Sequence, residues 1–154
     1  MNNVLITGGA GFIGSHLSEA LLAQGVRVTV IDDLSTGSQA NIAPLMKNPA
    51  FFFHRASIFD RNLMAELMRP ADMVFHLAAG VGVRRLIERP VHTIETNIIG
   101  TETVLDAAAK GKTKVLVAST SEVYGKSLQS TFGEDDDLIL GPTSRSRWGY
   151  AASK

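Results

Sequence analysis

The segment Thr7-Gly8-Gly9-Ala10-Gly11-Phe12-Ile13-Gly14 constrains this chain more than any other. It separates the apolar run Val4-Leu5-Ile6 from residues 12–24, where Ile13, Leu17, Ala20, Leu21 and Leu22 recur at helical spacing up to Gly25. That pattern predicts a buried strand, a tight turn and a helix. A turn this tight needs a residue without a Cβ, a pyrophosphate must come close to backbone, and the helix must lie close on the strand. The helix N-terminus then turns free N–H groups and a partial positive charge towards phosphate. Gly8, Gly11, Phe12, Ile13 and Gly14 are therefore candidate dinucleotide-binding residues. Asp32 ends the next apolar run, Val26 to Ile31, and Asp33 follows it. A carboxylate there accepts hydrogen bonds from ribose hydroxyls and repels a 2′-phosphate. No Arg follows directly, so the expected cofactor is NAD rather than NADP.

Further along, strand-like and helix-like segments alternate. Leu34 to Gln39 reads as a polar loop, followed by a short helix that Pro44 interrupts. Phe51-Phe52-Phe53 reads as a third strand covered on both faces. A short helix over about 61–68 stops before Pro70, and Met73-Val74-Phe75 is the fourth strand. A long helix is expected over about 91–110, with Ile94, Asn97, Ile98, Thr101, Val104, Leu105 and Ala108 on one face. Val115 to Ala118 is the fifth strand, residues 125–147 read as loop, and Tyr150 to Lys154 open another helix. Such alternation predicts an α/β fold with a doubly wound parallel sheet of Rossmann type, strand order 3-2-1-4-5, in one domain spanning 1–154.

The balance of charge narrows the partners. Lys plus Arg and Asp plus Glu both number 15, which gives no reason to expect nucleic acid or an anionic membrane. The absence of Cys excludes disulfides, thiolate catalysis and cysteine-bound metal, and it suits a cytoplasmic protein. His16, His54, His76 and His92 are scattered, so no metal site is expected. No basic segment with a long apolar stretch opens the chain, and no window is apolar enough for a membrane span. The acidic run Glu134 to Asp137 reads as a solvated loop.

Five motifs in order carry a family resemblance: Gly8-x-x-Gly11-x-x-Gly14, His76-Leu77-Ala78-Ala79, Asn97-Ile98-Ile99-Gly100-Thr101, Ser119-Thr120-Ser121-Glu122-Val123-Tyr124-Gly125 and Tyr150-Ala151-Ala152-Ser153-Lys154. Together the chain resembles the extended short-chain dehydrogenase/reductases, and within them the NAD-dependent nucleotide-sugar epimerases and dehydratases. The resemblance implies that Ser57, Ile58, Leu77, Ala78, Ala79, Asn97, Ala118, Tyr150 and Lys154 join the cofactor site. It also implies that Thr120, Glu122, Tyr150 and Lys154 form the catalytic set.

Tyr150 and Lys154 are four apart and share a face on a helix. A phenol of pKa about 10 is a poor base at neutral pH, and a nearby ammonium is expected to lower it. Tyr150 then takes the proton of a sugar hydroxyl while NAD oxidises the same carbon. Thr120 matches the family's Ser/Thr that hydrogen-bonds the reacting oxygen. Glu122 resembles the loop Glu of nucleotide-sugar dehydratases and UDP-glucuronate decarboxylases. Ser121 stands where dTDP-glucose dehydratases carry Asp, and Gly141 to Tyr150 resembles the decarboxylase and uronate-epimerase side. Glu122 alternatively reads as a loop carboxylate with no catalytic part. Ser57-Ile58 stands where many relatives have Asp-Ile, and Leu86 where they often have Ser.

Relatives of this kind continue beyond the position of Lys154 into a smaller domain that grips the nucleotide sugar, and that substrate domain is expected to be absent here. An apolar flank of the fifth strand is then expected to lie uncovered. Two functions stay open: the NAD half of an enzyme that oxidises a UDP-sugar at C4, or an NAD-binding module without turnover. Epimerisation, dehydration and decarboxylation of the 4-keto sugar all fit. The resemblance also implies a homodimer packed through the helix at 91–110.

Overall fold

The computed structural model describes residues 1–82, 88–126, 131–145 and 147–154. Leu86 lies outside the described residues. In chain order the elements are β1 (Asn3–Thr7), α1 (Phe12–Ala23), β2 (Arg27–Ile31), α2 (Gln39–Ile42), a 3-10 turn (Ala43–Lys47), β3 (Phe51–His54), α3 (Arg61–Met68), β4 (Met73–His76) and α4 (Pro90–Glu95). There follow a π-helical segment (Thr96–Gly100), α5 (Thr101–Gly111), β5 (Lys114–Val117), a 3-10 turn (Ser121–Tyr124) and α6 (Arg147–Ser153). They fall into two compact units, the first of Met1–Ala78 with Gly100–Ala118, the second of Ala79–Ile99 with Ser119–Lys154.

In the first unit the five strands form one parallel sheet in the order β3-β2-β1-β4-β5, as the alternation of strands and helices predicts. The register puts Val4 beside Val28 and Met73, and Val28 beside Phe51. Successive residues of β1 feed opposite faces. Val4 and Ile6 join Val28, Val30, Ile42 and Leu21 on the side of α1 and α2. Leu5 joins Ile31, Met64, Met68, Val74 and Val104 on the side of α3 and α5. With both faces packed, the central strands can be continuously apolar.

Local chemistry sets the helix ends. At the end of α1 the Val26 N–H donates to Leu21 O and the Gly25 N–H to Leu22 O, with Gly25 at φ +76°. This is a Schellman motif, and Leu21 and Val26, its accompanying hydrophobic pair, both enter the core. At the start of α3 the Asp60 carboxylate accepts from the N–H groups of Asn62 and Leu63.

Three expectations are corrected. Of the aromatic triplet only Phe51 is buried, because β3 is an edge strand, and the Phe52 ring lies exposed under the Arg27 guanidinium, 5.0 Å from its centroid. On α1 the face turned to the sheet is made by Gly14, Ser15, Ser18 and Leu21, while Ile13 and Ala20 face outward. The helical run that the sequence suggests over 91–110 is interrupted at Thr96–Gly100 by π-helical turns. Its inward residues are Thr93 and Asn97 in the second unit and Gly100, Thr103, Val104, Ala107 and Ala108 in the first. Ile94, Ile98 and Leu105 are exposed instead. The cause is close approach: a Cβ on Gly80 would lie 2.9 Å from Thr93 Cα, and one on Gly100 would lie 2.5 Å from the Ile58 side chain. At those two contacts there is no room for a side chain on the glycine. Leu116 and Val117 of β5 are also exposed.

In the second unit Gly80 lies against Thr93 of α4, and α4 packs on α6. Within the stretch 125–147 read as loop, Gly125 and Ile139 form a parallel bridge, and the Phe132 ring stacks on that of Tyr124 at 4.7 Å. Helix α6 starts at Arg147, before Tyr150, and ends at Ser153, so Lys154 sits just past its last turn. Among the described residues no helix is long and apolar enough to cross a membrane.

Candidate functional site

The first unit places the glycine turn at the carboxyl end of β1. Gly8 has φ +70°, its N–H donates to Ile31 O, and a Cβ there would lie 2.7 Å from Ala78 N. A Cβ on Gly14 would lie 2.5 Å from Gly9 Cα, so α1 begins in contact with the turn. The Gly11 N–H donates to Gly8 O. Gly11 caps α1 without a side chain, and no side-chain hydrogen bond closes this helix end. The first-turn N–H groups of a helix have no partner within it. Phe12 and Ile13 stand over them 78% and 67% exposed. A cradle without side chains, backed by a helix N-terminus, fits a pyrophosphate.

Asp32 is buried at the end of β2. Its Oδ2 accepts from Ala10 N–H at 2.9 Å and its Oδ1 from Leu34 N–H at 2.8 Å. Burial pushes this carboxyl above the ordinary aspartate value, against the pull of those two bonds, with the Asp33 charge adding to the rise. Asp33 is exposed and accepts only from Ser35 N–H among its described hydrogen bonds. Ser57 Oγ accepts from Phe59 N–H, and the Ile58 side chain points into the core. Leu77 and Ala78 are half-buried; their N–H groups donate to Thr7 O and Thr7 Oγ1. The Ala118 N–H donates to His76 O.

The sequence singles out His76 and Thr101 only as motif letters, and the structure gives them a task. The His76 ring is buried between Thr7 Oγ1 at 2.7 Å and Thr101 Oγ1 at 2.9 Å. It thereby ties β1, β4 and α5 together beneath the turn. Asn41, which no motif marks, donates through Nδ2 to Ala10 O and braces the turn from α2. Only the covalent order of the motifs was available to find these contacts; the pairing of strands brings them together.

The second unit brings together Thr120, Glu122 and Tyr150. Thr120 caps the 3-10 turn by accepting from Glu122 N–H, and its side chain hydrogen-bonds the Tyr150 phenol. Burial pushes the phenol above the ordinary tyrosine value; the Thr120 bond pulls it down and the Glu122 charge pushes it up. The lowering expected from Lys154 is not what the geometry gives. Burial outweighs the Thr120 bond at Tyr150, and it pulls the Lys154 ammonium itself down. Ala79 is half-buried in the same unit. Asn97 is 5% exposed, and its amide is engaged at both ends, Oδ1 by Gly80 N–H and Nδ2 by Ser153 Oγ.

A parallel five-stranded sheet with a bare glycine turn and a carboxylate closing β2 defines a dinucleotide-binding protein of Rossmann type. Residues 4–154 match the NAD dependent epimerase/dehydratase family, and the chain belongs to that family. It is 50% identical over 150 residues to a UDP-N-acetyl-alpha-D-glucosaminuronate decarboxylase of Bacillus cytotoxicus, covering 97% of this chain and 46% of the relative. It is 34% identical to UDP-glucuronic acid decarboxylase 1 of Xenopus tropicalis, covering 96% of this chain and 31% of the relative. The dTDP-glucose 4,6-dehydratase of Streptomyces venezuelae, solved with NAD bound, superposes with a TM-score of 0.88 at 37% identity, over 99% of this chain and 48% of that one. The chain thus spans less than half of the length of the two decarboxylases, 46% of one and 31% of the other.

Proposed function

We propose that this chain is the NAD-binding part of an enzyme that oxidises a UDP-sugar at C4 and then epimerises, dehydrates or decarboxylates the 4-keto sugar. The observation that carries the reading is the Tyr150 phenol held by Thr120 beside Glu122. NAD, when bound, supplies the two-electron oxidation of the sugar carbon. The backbone of Gly8, Gly11, Phe12, Ile13 and Gly14 holds its pyrophosphate, and Asp32 with Asp33 its adenosine ribose. Ser57, Ile58, Leu77, Ala78, Ala79, Asn97 and Ala118 complete the cofactor wall, and Lys154 holds the second ribose. Tyr150 accepts the proton of the C4 hydroxyl, Thr120 orients that oxygen, and Glu122 moves a proton in the step after oxidation. The Bacillus cytotoxicus relative is named for a UDP-linked uronate, which makes that sugar the first substrate to test. The protein acts in the cytoplasm as a homodimer, and the exposed Val91, Ile94, Ile98 and Ile99 form the contact.

The test is incubation with NAD and UDP-N-acetylglucosaminuronate or UDP-glucuronate, with products resolved by mass spectrometry. The expected result is a product altered at C4, C5 or C6. A second reading is an NAD-binding module without turnover. NAD binding in calorimetry with unchanged sugars selects that reading, and no NAD binding defeats both. Sedimentation velocity tests the dimer.

A further inference from the structure

Three hydrogen bonds in the second unit form one directed chain. Gly80 N–H donates to Asn97 Oδ1 at 2.8 Å, Asn97 Nδ2 donates to Ser153 Oγ at 2.9 Å, and Ser153 Oγ donates to Tyr150 O at 2.9 Å. Its direction is set by the end groups. A backbone N–H can only donate, so the Asn97 oxygen must face Gly80 and its NH2 must face Ser153. A backbone carbonyl can only accept, so the Ser153 hydroxyl must spend its proton on Tyr150. No other orientation of Asn97 satisfies all three contacts.

Helix α6 ends at Ser153, and the Ser153 hydroxyl donates to the Tyr150 carbonyl in its last turn. Serines often bond back one turn in this way without further consequence. Here the same hydroxyl is also gripped by a side chain from the π-helical segment Thr96–Gly100, a kind of interruption that recurs at functional sites.

We propose that Ser153 is a positioning residue: held by Asn97, it fixes the turn that aims the Tyr150 phenol at Thr120. Asn97 reaches the turn through its bond to the Ser153 hydroxyl. The inference rests on the reading of Tyr150 as the base. Around the phenol stand Thr120 and Glu122, with Lys154 one turn further along. If the carbonyl of Tyr150 is released, the phenol drifts from Thr120 and loses the bond that favours its ionised form.

The experiment is a titration of the full chain carrying 13Cζ-labelled tyrosine. The two tyrosine signals are assigned with Tyr124→Phe. Ser153→Ala is expected to raise the Tyr150 midpoint by about half a pH unit, a threefold loss of the ionised form. Ser153→Thr restores it, and adding Asn97→Ala to Ser153→Ala moves it no further. Ser153→Cys, close in size and a weak donor, carries the test if the alanine variant does not fold. A wild-type midpoint in the Ala or Cys variant, with only thermal stability changed, overturns the proposal. So does a Thr variant that fails to restore the midpoint. The base reading is judged separately, by whether Tyr150→Phe abolishes sugar turnover.

Discussion

The Ala10 N–H donates to Asp32 Oδ2 at 2.9 Å, so the carboxylate that closes β2 is also the clasp of the glycine turn. The other oxygen takes Leu34 N–H. Each carboxylate oxygen accepts two bonds, which leaves one position on each for a ribose hydroxyl. Asp32→Ala is expected to cost about 1–3 kcal/mol of stability, because two N–H groups lose their partner, and to weaken NAD binding by at least about tenfold. Asp33→Ala is expected to change stability by less than about 0.5 kcal/mol, since its one described bond is local and exposed. Urea unfolding and calorimetry read both. An equal loss of NAD affinity in the two variants moves the ribose contact to Asp33.

The raised Asp32 carboxyl also fixes the sign of a pH effect. A folded-state pKa above the unfolded one means that this group favours folding while it is protonated, below the unfolded aspartate value. The contribution is lost as pH rises through the folded value. Wild type minus Asp32→Asn stability is therefore expected to fall as pH rises from about 3 to 6. A difference that grows over that interval contradicts burial as the dominant influence on the group.

Gly14→Ala is expected to destabilise by about 1–3 kcal/mol, because the new Cβ meets backbone on two sides, Gly9 Cα at 2.5 Å and Gly8 O at 2.6 Å. Backbone cannot swing aside as a long side chain can. The same substitution shifts the start of α1 and is expected to weaken NAD binding together with stability. A variant of wild-type stability that binds NAD normally refutes the close-packing role of this glycine.

The order of strands was legible because periodicity and the Gly25 and Pro70 stops are local signals. Gly25 ends α1 through its own backbone bonds, and Pro70 cannot extend α3. The burial of the helical run after Pro90 was not legible in that way. Of the expected face, Asn97, Val104 and Ala108 are buried while Ile94, Ile98 and Leu105 are exposed, and the approach of Gly80 to Thr93 and of Ile58 to Gly100 decides which side turns inward. Those are contacts between distant segments, which no periodicity carries. Asn97 likewise reads as a cofactor contact from its motif, and its two engaged amide ends appear only once Gly80 and Ser153 are placed.

Lys112 follows α5 in the left-handed region at φ +54°, and the Thr113 N–H closes the helix end onto Ala108 O. Glycine adopts this conformation without the steric cost of about 1 kcal/mol that an L side chain carries there. Lys112→Gly is expected to stabilise by about 0.5 kcal/mol after the greater freedom of glycine in the unfolded chain is subtracted. Urea unfolding reads the difference. A loss of stability would mean that the Lys112 side chain contributes more than its backbone strain costs.

Thr120 and Glu122 act on the Tyr150 phenol with opposite sign, and that opposition is the sharpest test of the catalytic cluster. The Thr120 bond favours the ionised phenol, so Thr120→Val is expected to raise the Tyr150 midpoint by about half a pH unit. The Glu122 charge disfavours it, so Glu122→Gln is expected to lower the midpoint by a similar or smaller amount. If Tyr150 is the base, the rising limb of the pH–rate profile with a UDP-sugar moves the same way in each variant. Shifts of one sign in both variants mean that loop rearrangement, rather than the hydrogen bond and the charge, controls the phenol. Midpoints that separate as expected while the pH–rate limb stays fixed leave the cluster intact but assign the rate-controlling proton to another group.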